Sequence, residues 1–378
     1  MQRRILYTVP ALTMGGVASV LDALVRGASG AGYEVHVAYY EKADADFAAS
    51  LSEAAEVHYA GTSCRLPLLR PALIARRIGA LVSDLRPQLV HAHSFDADLL
   101  SARALAGLPV PFLVSCHTFS YVRTARSLRK AYARFAPRIT SFVAVSEALA
   151  AALKTVPELA SRPVAVIHNA ASARFFEPLP PEGRASFRSR LGVGEDEILI
   201  GYVANFHPGK RHSLLSEAFC RMKAKNVRLA FMGMELDAGA AGLARDALRK
   251  HGQLERCAFI SDSSDSHAFL QACDIYAHPS SSEAFSVALA EAAASGLPIA
   301  AMNVGGNPEL AIEGRNALLC GPEDAGCLAG ALDKLAADAA LRNSMGAASR
   351  EIAAERAHPV TQMRKYLELY GELSGRQS

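Results

Sequence analysis

The sequence predicts an α/β protein made of two Rossmann-like, doubly wound domains with parallel sheets. Three observations carry that expectation. Short apolar runs alternate with helix-period segments, the pattern of strand–helix–strand units. The alternation comes in two series separated by a proline-rich joint. The chain has 378 residues, 51% of them hydrophobic, enough to bury two cores of ordinary size.

Taken in order, residues 4–9 (RILYTV) read as a first strand, 16–30 as a helix and 34–40 as a second strand. Residues 88–91, 112–115 and 141–145 are further strands with helical stretches between them. The second series opens at 198–204 (ILIGYVA) and continues at 228–232, 258–260, 275–277 and 298–301. The joint is FEPLPPEG at 176–183. The expected division is 1–175, then 186–357, with 358–378 as a terminal helix packing back on the N-terminal domain. Strand C-termini of the two sheets are expected to face a central cleft, the usual ligand site of open α/β sheets.

Composition excludes several classes. Charged residues are 20%, aromatics 7% and the net charge is +3, which is neither disordered nor fibrous. No apolar run reaches the roughly 18 residues of a membrane span. The opening RRILYTV resembles a signal peptide, but Pro10, Gly15-Gly16 and Asp22 break it, so it reads as strand and turn and the chain as cytoplasmic. The seven cysteines are scattered with no Cys-x-x-Cys. They read as separate thiols in a reducing compartment, without a disulfide framework or structural zinc. Residues 1–170 hold 18 Lys and Arg against 12 Asp and Glu, and the remainder 22 against 25. The basic excess is therefore N-terminal.

Gly15-Gly16 follows the first strand and opens a helix. Glycines there let a ligand approach the backbone, and a helix N-terminus favours an anion; a plain strand-to-helix turn is the alternative. The Gly-x-Gly-x-x-Gly dinucleotide fingerprint is absent from this turn, which disfavours a nicotinamide dehydrogenase.

The most informative stretch is PSSSEAFSVALAEAAASGLP at 279–298. Ser280 and Glu283 have capping-box spacing, and Gly296 and Pro298 stop the helix they are expected to open. On one continuous helix Glu283 and Glu291 stand roughly 80° and about 12 Å apart. That separation suits two ends of an extended ligand and not one shared proton. Glu291, in an apolar surround, needs strong donors such as a ribose diol. The N–H groups of Phe285, Ser286 and Val287 suit a diphosphate. In the competing reading Glu283 only caps the helix and Glu291 faces water.

Asp44/Asp46 and Asp96/Asp98 mimic an Asp-x-Asp metal signature but read as helix-start acids. His91 and His93 are placed on opposite faces of a strand, and so do not form a paired metal site. The segment 119–140 carries Arg123, Arg126, Arg129, Lys130, Arg134 and Arg138, interleaved with aromatics and free of acids. It reads as an acceptor or anionic-membrane surface, or as a solvated face; no nucleic-acid motif accompanies it.

At this point the sequence resembles the family-4, group 1 glycosyltransferases, which have the GT-B fold. The Glu-x7-Glu motif of that family reads Glu283 through Glu291. The matching segments are GGVASVLDALVRGASGAGYEVHV, VHAHS, VSCHT, FVAVSEAL, VIHNA, GYVANFHPGKRH and PSSSEAF through GGNPEL, in family order across nearly the whole chain. The resemblance implies an N-terminal acceptor domain and a C-terminal nucleotide-sugar domain. It implies retaining transfer from a UDP- or GDP-sugar to a glycan or lipid-linked acceptor in polysaccharide synthesis, without metal or other cofactor. Residue by residue, Glu291 holds the ribose, Glu283 contacts the donor sugar, and the amides of Phe285, Ser286 and Val287 meet sugar and phosphates. Gly16 lies against the diphosphate, Lys210 neutralises it, and His117 sits at the reaction centre with His93 behind. Where the family usually has Arg, this chain has Asn205, so Lys210 and Arg211 carry the diphosphate charge. Ala284, His168-Asn169-Ala170 and Met234-Glu235 are further departures. Other readings of the same fold are a nucleotide-sugar epimerase, a phosphorylase-type enzyme or a non-catalytic nucleotide-sugar binder.

Overall fold

A computed structural model describes residues 3–13, 15–67, 69–123, 133–261 and 265–375. The chain divides into two compact units, 1–169 with 360–378 and 170–359. Both are Rossmann-like.

The first unit holds a parallel sheet of β1 (Arg4–Val9), β2 (Glu34–Tyr39), β3 (Glu56–Tyr59), β4 (Leu89–His93), β5 (Phe112–Cys116), β6 (Ser141–Ala144) and β7 (Val164–Val166). Their order is β3-β2-β1-β4-β5-β6-β7. Every residue of β4, β5 and β6 is buried, as expected for parallel strands covered by helices on both faces. In this unit the sequence does not predict β3 and β7, and in the second it does not predict the edge strand at 317–320. β3 and β7 are short edge strands, and neither has a residue classed as buried, so their apolar signal is weak.

The terminal helix Pro359–Gly375 belongs to this unit. Its Tyr366 and Tyr370 are fully buried. The Tyr370 hydroxyl meets Tyr7 Oη at 3.1 Å and His91 Nδ1 at 2.9 Å. His91 Nε2 pairs with Ser115 Oγ at 2.8 Å, and Ser115 Oγ lies 3.3 Å from Tyr366 Oη. Buried hydroxyls require such partners, and these give the helix one docking position.

The second unit holds β8 (Ile198–Val203), β9 (Val227–Met232), β10 (Cys257–Ile260), β11 (Ile275–His278), β12 (Ile299–Met302) and β13 (Ala317–Cys320), in the order β10-β9-β8-β11-β12-β13. Asp274, at the foot of β11, accepts from Arg184 at 2.6 Å, Arg188 at 2.8 Å and the Leu199 amide at 2.8 Å. That cluster fixes the helix Pro181–Arg190 to the sheet. The division falls after Asn169 rather than after residue 175, because Phe175 is fully buried in the second unit against His267.

One cysteine expectation is corrected. Cys320, ending β13, is disulfide-bonded to Cys327 in the helix Ala325–Ala337, with Cα atoms 5.7 Å apart. The strand-to-helix turn returns the chain on itself within seven residues, a proximity that a scan for Cys-x-x-Cys does not detect. No described helix is long and apolar enough to cross a membrane.

Candidate functional site

In each sheet the strand order reverses direction between the first strand and its crossover neighbour. That switch point lies between β1 and β4 in the first unit and between β8 and β11 in the second. Loops leaving such strands at their C-terminal ends diverge and leave a crevice. Asn205, Lys210, Arg211 and Glu283 sit on these loops in the second unit, and Gly15-Gly16 follow β1 in the first.

In the second unit the loop after β8 carries Asn205, Lys210 and Arg211. Asn205 Oδ1 accepts from the Met234 amide at 3.0 Å, tying this loop to the turn after β9. Gly233 in that turn has φ +156°, and a Cβ there would lie 2.1 Å from the Ala204 carbonyl oxygen, so only glycine fits. Asn205 is thus committed to holding two loops together. Lys210 ends a short turn, Pro208–Lys210, which His207 caps through Nδ1. Tyr202, fully buried on β8, donates to the Lys210 carbonyl at 2.9 Å and meets Ser280 Oγ at 3.0 Å. Arg211, at φ 54°, is paired with Glu323 at 2.8 Å.

The loop after β11 carries Glu283. Here the helix expectation is corrected. The helix spans Val287–Ala294, and Ser286, not Ser280, caps it, accepting from the Leu289 amide at 3.3 Å. Residues 279–286 remain a loop because their backbone groups are engaged elsewhere. The Ser281 amide donates to Gly209 O at 3.0 Å, and Glu283 O accepts from Gly306 at 2.9 Å. Glu283 therefore does not share a helix with Glu291, and the separation expected for one continuous helix does not apply.

Glu283 is buried, with its Oε1 2.6 Å from Lys210 Nζ and 3.5 Å from His278 Nε2. Burial works to raise its pKa, but the His278 and Lys210 contacts outweigh that and hold it at about 2. Glu291, on the helix behind, is half-buried; burial pushes it up to about 7 against the opposing charge of Arg174. Two carboxylates thus stand in opposite electrostatic states, one a fixed anion bound to a cation and one titrating near neutrality. Phe285 and Ser286 are buried just before the helix start, and Val287 is its first residue.

In the first unit Gly15, at φ +155°, precedes the helix Gly16–Gly30, and a Cβ at either glycine would meet nothing within 4 Å. His93 ends β4 and His117 follows β5. His93 Nδ1 lies 2.9 Å from His117 Nε2, with the rings stacked. Burial lowers both, His117 to about 4. At neutral pH the pair is uncharged, and a single proton lies between the two nitrogens. Ser94, after His93, has φ 87°, a strained value for a residue with a Cβ. His91 and His93 lie on one face, with ring centroids 4.2 Å apart. The opposite-face placement is corrected, since residues two apart on a strand share a side. Asp44 caps its helix through the Phe47 amide, and Asp96 and Asp98 lie in a helix first turn. Arg126, Arg129 and Lys130 lie outside the described residues, as does the side chain of Arg123.

His278 and Tyr202 were missed by sequence reasoning. Both sit in strands, where an apolar neighbourhood reads as core; the available signal is that His278 is the last strand residue before the Glu283 loop.

The family model described as "Glycosyltransferase Family 4" matches residues 14–174, and that described as "Glycosyl transferases group 1" matches residues 183–352. Among curated proteins, the chain is 30% identical over 188 residues to a D-inositol 3-phosphate glycosyltransferase of Stackebrandtia nassauensis, covering 47% of this chain and 42% of that protein. It is 29% identical over 274 residues to the Mycobacterium marinum protein of the same name, covering 68% and 56%. The chain spans about half the length of these relatives. Among solved structures, a glycosyltransferase from Rickettsia africae superposes with a TM-score of 0.87 at 19% identity, covering 98% of both chains. Anabaena HepE in complex with UDP-glucose superposes at 0.86 with 21% identity, covering 98% of this chain and 99% of that one.

Proposed function

Because this chain belongs to the family-4, group 1 glycosyltransferases, we propose that it moves a sugar from a nucleotide diphosphate sugar to a hydroxyl acceptor, retaining anomeric configuration. The observation that carries the reading is the Lys210–Glu283 pair at 2.6 Å, built from two loops at the switch point of the second sheet. A leaving nucleoside diphosphate gathers charge on a phosphate oxygen. A preorganised ammonium stabilises that charge, and the Glu283 carboxylate holds the ammonium in place until the donor arrives. Glu283 then addresses hydroxyls of the donor sugar. Ionised Glu291 accepts from the ribose hydroxyls, and the helix start at Phe285, Ser286 and Val287 takes the phosphates.

Asn205 supports the loop where the family usually offers an arginine, so the fixed cation is Lys210, with Arg211 reaching it only if it leaves Glu323. Since that ammonium is part of the chain, the proposed reaction runs without a divalent ion. Gly16, His93 and His117 keep the roles that the resemblance implies: diphosphate approach, and contact with sugar and acceptor at the reaction centre. For the acceptor, a phosphorylated polyol is the first class to test, since the relatives are D-inositol 3-phosphate glycosyltransferases. A glycan or lipid-linked acceptor at an anionic membrane face, as in polysaccharide synthesis, is the second.

A thermal-shift panel of UDP-, GDP- and ADP-sugars tests the donor site. One nucleotide family raises the Tm of the EDTA-treated protein, and Lys210→Ala and Glu291→Ala lose the shift. Full stabilisation retained in both variants refutes the site.

A further inference from the structure

Two segments of the first unit carry the same tripeptide, Glu-Val-His. Glu34–His36 opens β2 and Glu56–His58 opens β3. These strands are parallel neighbours, with β3 at the sheet edge and His36 opposite Glu56. Residues two apart on a strand share a face. The register therefore gathers Glu34, His36, Glu56 and His58 on one side of the sheet corner.

The distances suit a metal ion. His36 Nδ1 lies 3.1 Å from His58 Nε2 and 3.5 Å from Glu56 Oε2, and His58 Nε2 lies 3.9 Å from Glu56 Oε1. Tetrahedral zinc with nitrogen and oxygen ligands at about 2.0–2.2 Å places neighbouring ligand atoms roughly 3.3–3.5 Å apart. The three separations straddle that spacing, and the three ligand atoms all lie within 4.8 Å of one another. The outer contacts suit it too. His36 Nε2 faces Glu34 Oε1 at 3.1 Å, and Glu34 Oε2 is held by Arg4 at 2.8 Å. A histidine that gives its far N–H to a carboxylate presents its other nitrogen as a ligand in a fixed orientation. The side chain of His36 is 1% exposed, that of His58 16% and that of Glu56 68%, so the cluster is anchored inside and open to solvent on one flank.

We propose that His36, His58 and Glu56 bind one zinc ion, with water as the fourth ligand, and that the ion fastens edge strand β3 to β2. His36 and Glu56 are register partners, and His58 lies opposite Ala38, one residue before the end of β3. The cluster shares no residue with the proposed sugar-transfer site. Without the ion, the two facing ring nitrogens share one proton.

The test uses the full chain, stripped with EDTA, dialysed, alkylated at its free thiols and titrated with zinc chloride by calorimetry and by Tm. One saturable equivalent and a raised Tm are expected. Glu56→Gln and His58→Ala lower the affinity by more than about 100-fold, and Glu34→Gln lowers it by about 10–100-fold. Glu56 is exposed, so its variant keeps the fold; matching far-UV spectra and urea midpoints of the zinc-free proteins verify this. No saturable binding up to millimolar zinc overturns the assignment, as does an affinity in Glu56→Gln and His58→Ala unchanged from that of the parent protein.

Discussion

Lys210 Nζ lies 2.6 Å from Glu283 Oε1, and this one contact joins the loop after β8 to the loop after β11. Backbone bonds reinforce the junction, since Ser281 donates to Gly209 O through both its amide and its hydroxyl. The pair is therefore a structural clamp before any donor binds. Lys210→Ala leaves a buried carboxylate whose remaining described ion-pair partner is His278. The expected result is a stability loss of ~1–3 kcal/mol in urea melts and a fall in transfer rate of about 10²–10³-fold. Arg211→Ala, which breaks a half-exposed pair with Glu323, changes stability by less than ~1 kcal/mol.

Glu291 titrates at about 7 in the fold, against 4.5 for the ordinary group. The folded state keeps its proton where the unfolded chain has released it. This residue's contribution to stability therefore falls as pH rises from about 4.5 to about 7 and is level above that. The full span is up to ~3 kcal/mol. Glu291→Gln removes the slope, so the variant gains on the parent protein as pH rises through that window. Nucleotide affinity moves the other way. It strengthens in the parent protein as the carboxylate ionises, and it is weak and flat with pH in the variant. Urea midpoints and nucleotide titrations across that pH window measure both.

The strand–helix alternation was legible because buried parallel strands are continuous apolar runs; β1, β4, β5, β8 and β9 fall within a residue or two of the expected bounds. The edge strands β3, β7 and β13 were not, because a short, partly exposed strand has no such run. The candidates Glu283 and Glu291 stood out in the 279–298 stretch and Lys210 came from the resemblance alone, but the geometry between the two acids was not legible. A Ser-x-x-Glu pattern signals a cap wherever a helix begins, and only the tertiary bonds of Ser281 and Glu283 decide that the helix starts at Val287. The Asn205 bond to Met234 was equally hidden, since the two residues lie 29 positions apart.

His93 and His117 share one proton at neutral pH, and burial holds His117 at about 4. The ring signals of His117 are accordingly expected to stay at their neutral positions down to about pH 5 in a proton NMR titration. The rate profile above that pH carries no His117 limb. His117→Asn is expected to lower kcat by about 10²–10⁴-fold, in the range of a lost proton-transfer or positioning group, with a smaller change in donor KM. An unchanged kcat removes His117 from the reaction centre.

Tyr370 places the terminal helix through one hydroxyl that touches both Tyr7 and His91. Tyr370→Phe keeps the ring packing and deletes the hydroxyl, leaving two buried polar groups each short of a partner. The expected cost is ~1–3 kcal/mol, at the upper end because both partners are fully buried. His91 also meets Ser115, so part of its hydrogen bonding survives, whereas Tyr7 has no other bond described for its hydroxyl. Tyr7→Phe in the Tyr370→Phe background removes that orphan and is expected to recover part of the loss. A double-mutant cycle in urea reads the coupling directly, and additive losses at the two positions mean that the bond between them contributes nothing to docking the helix.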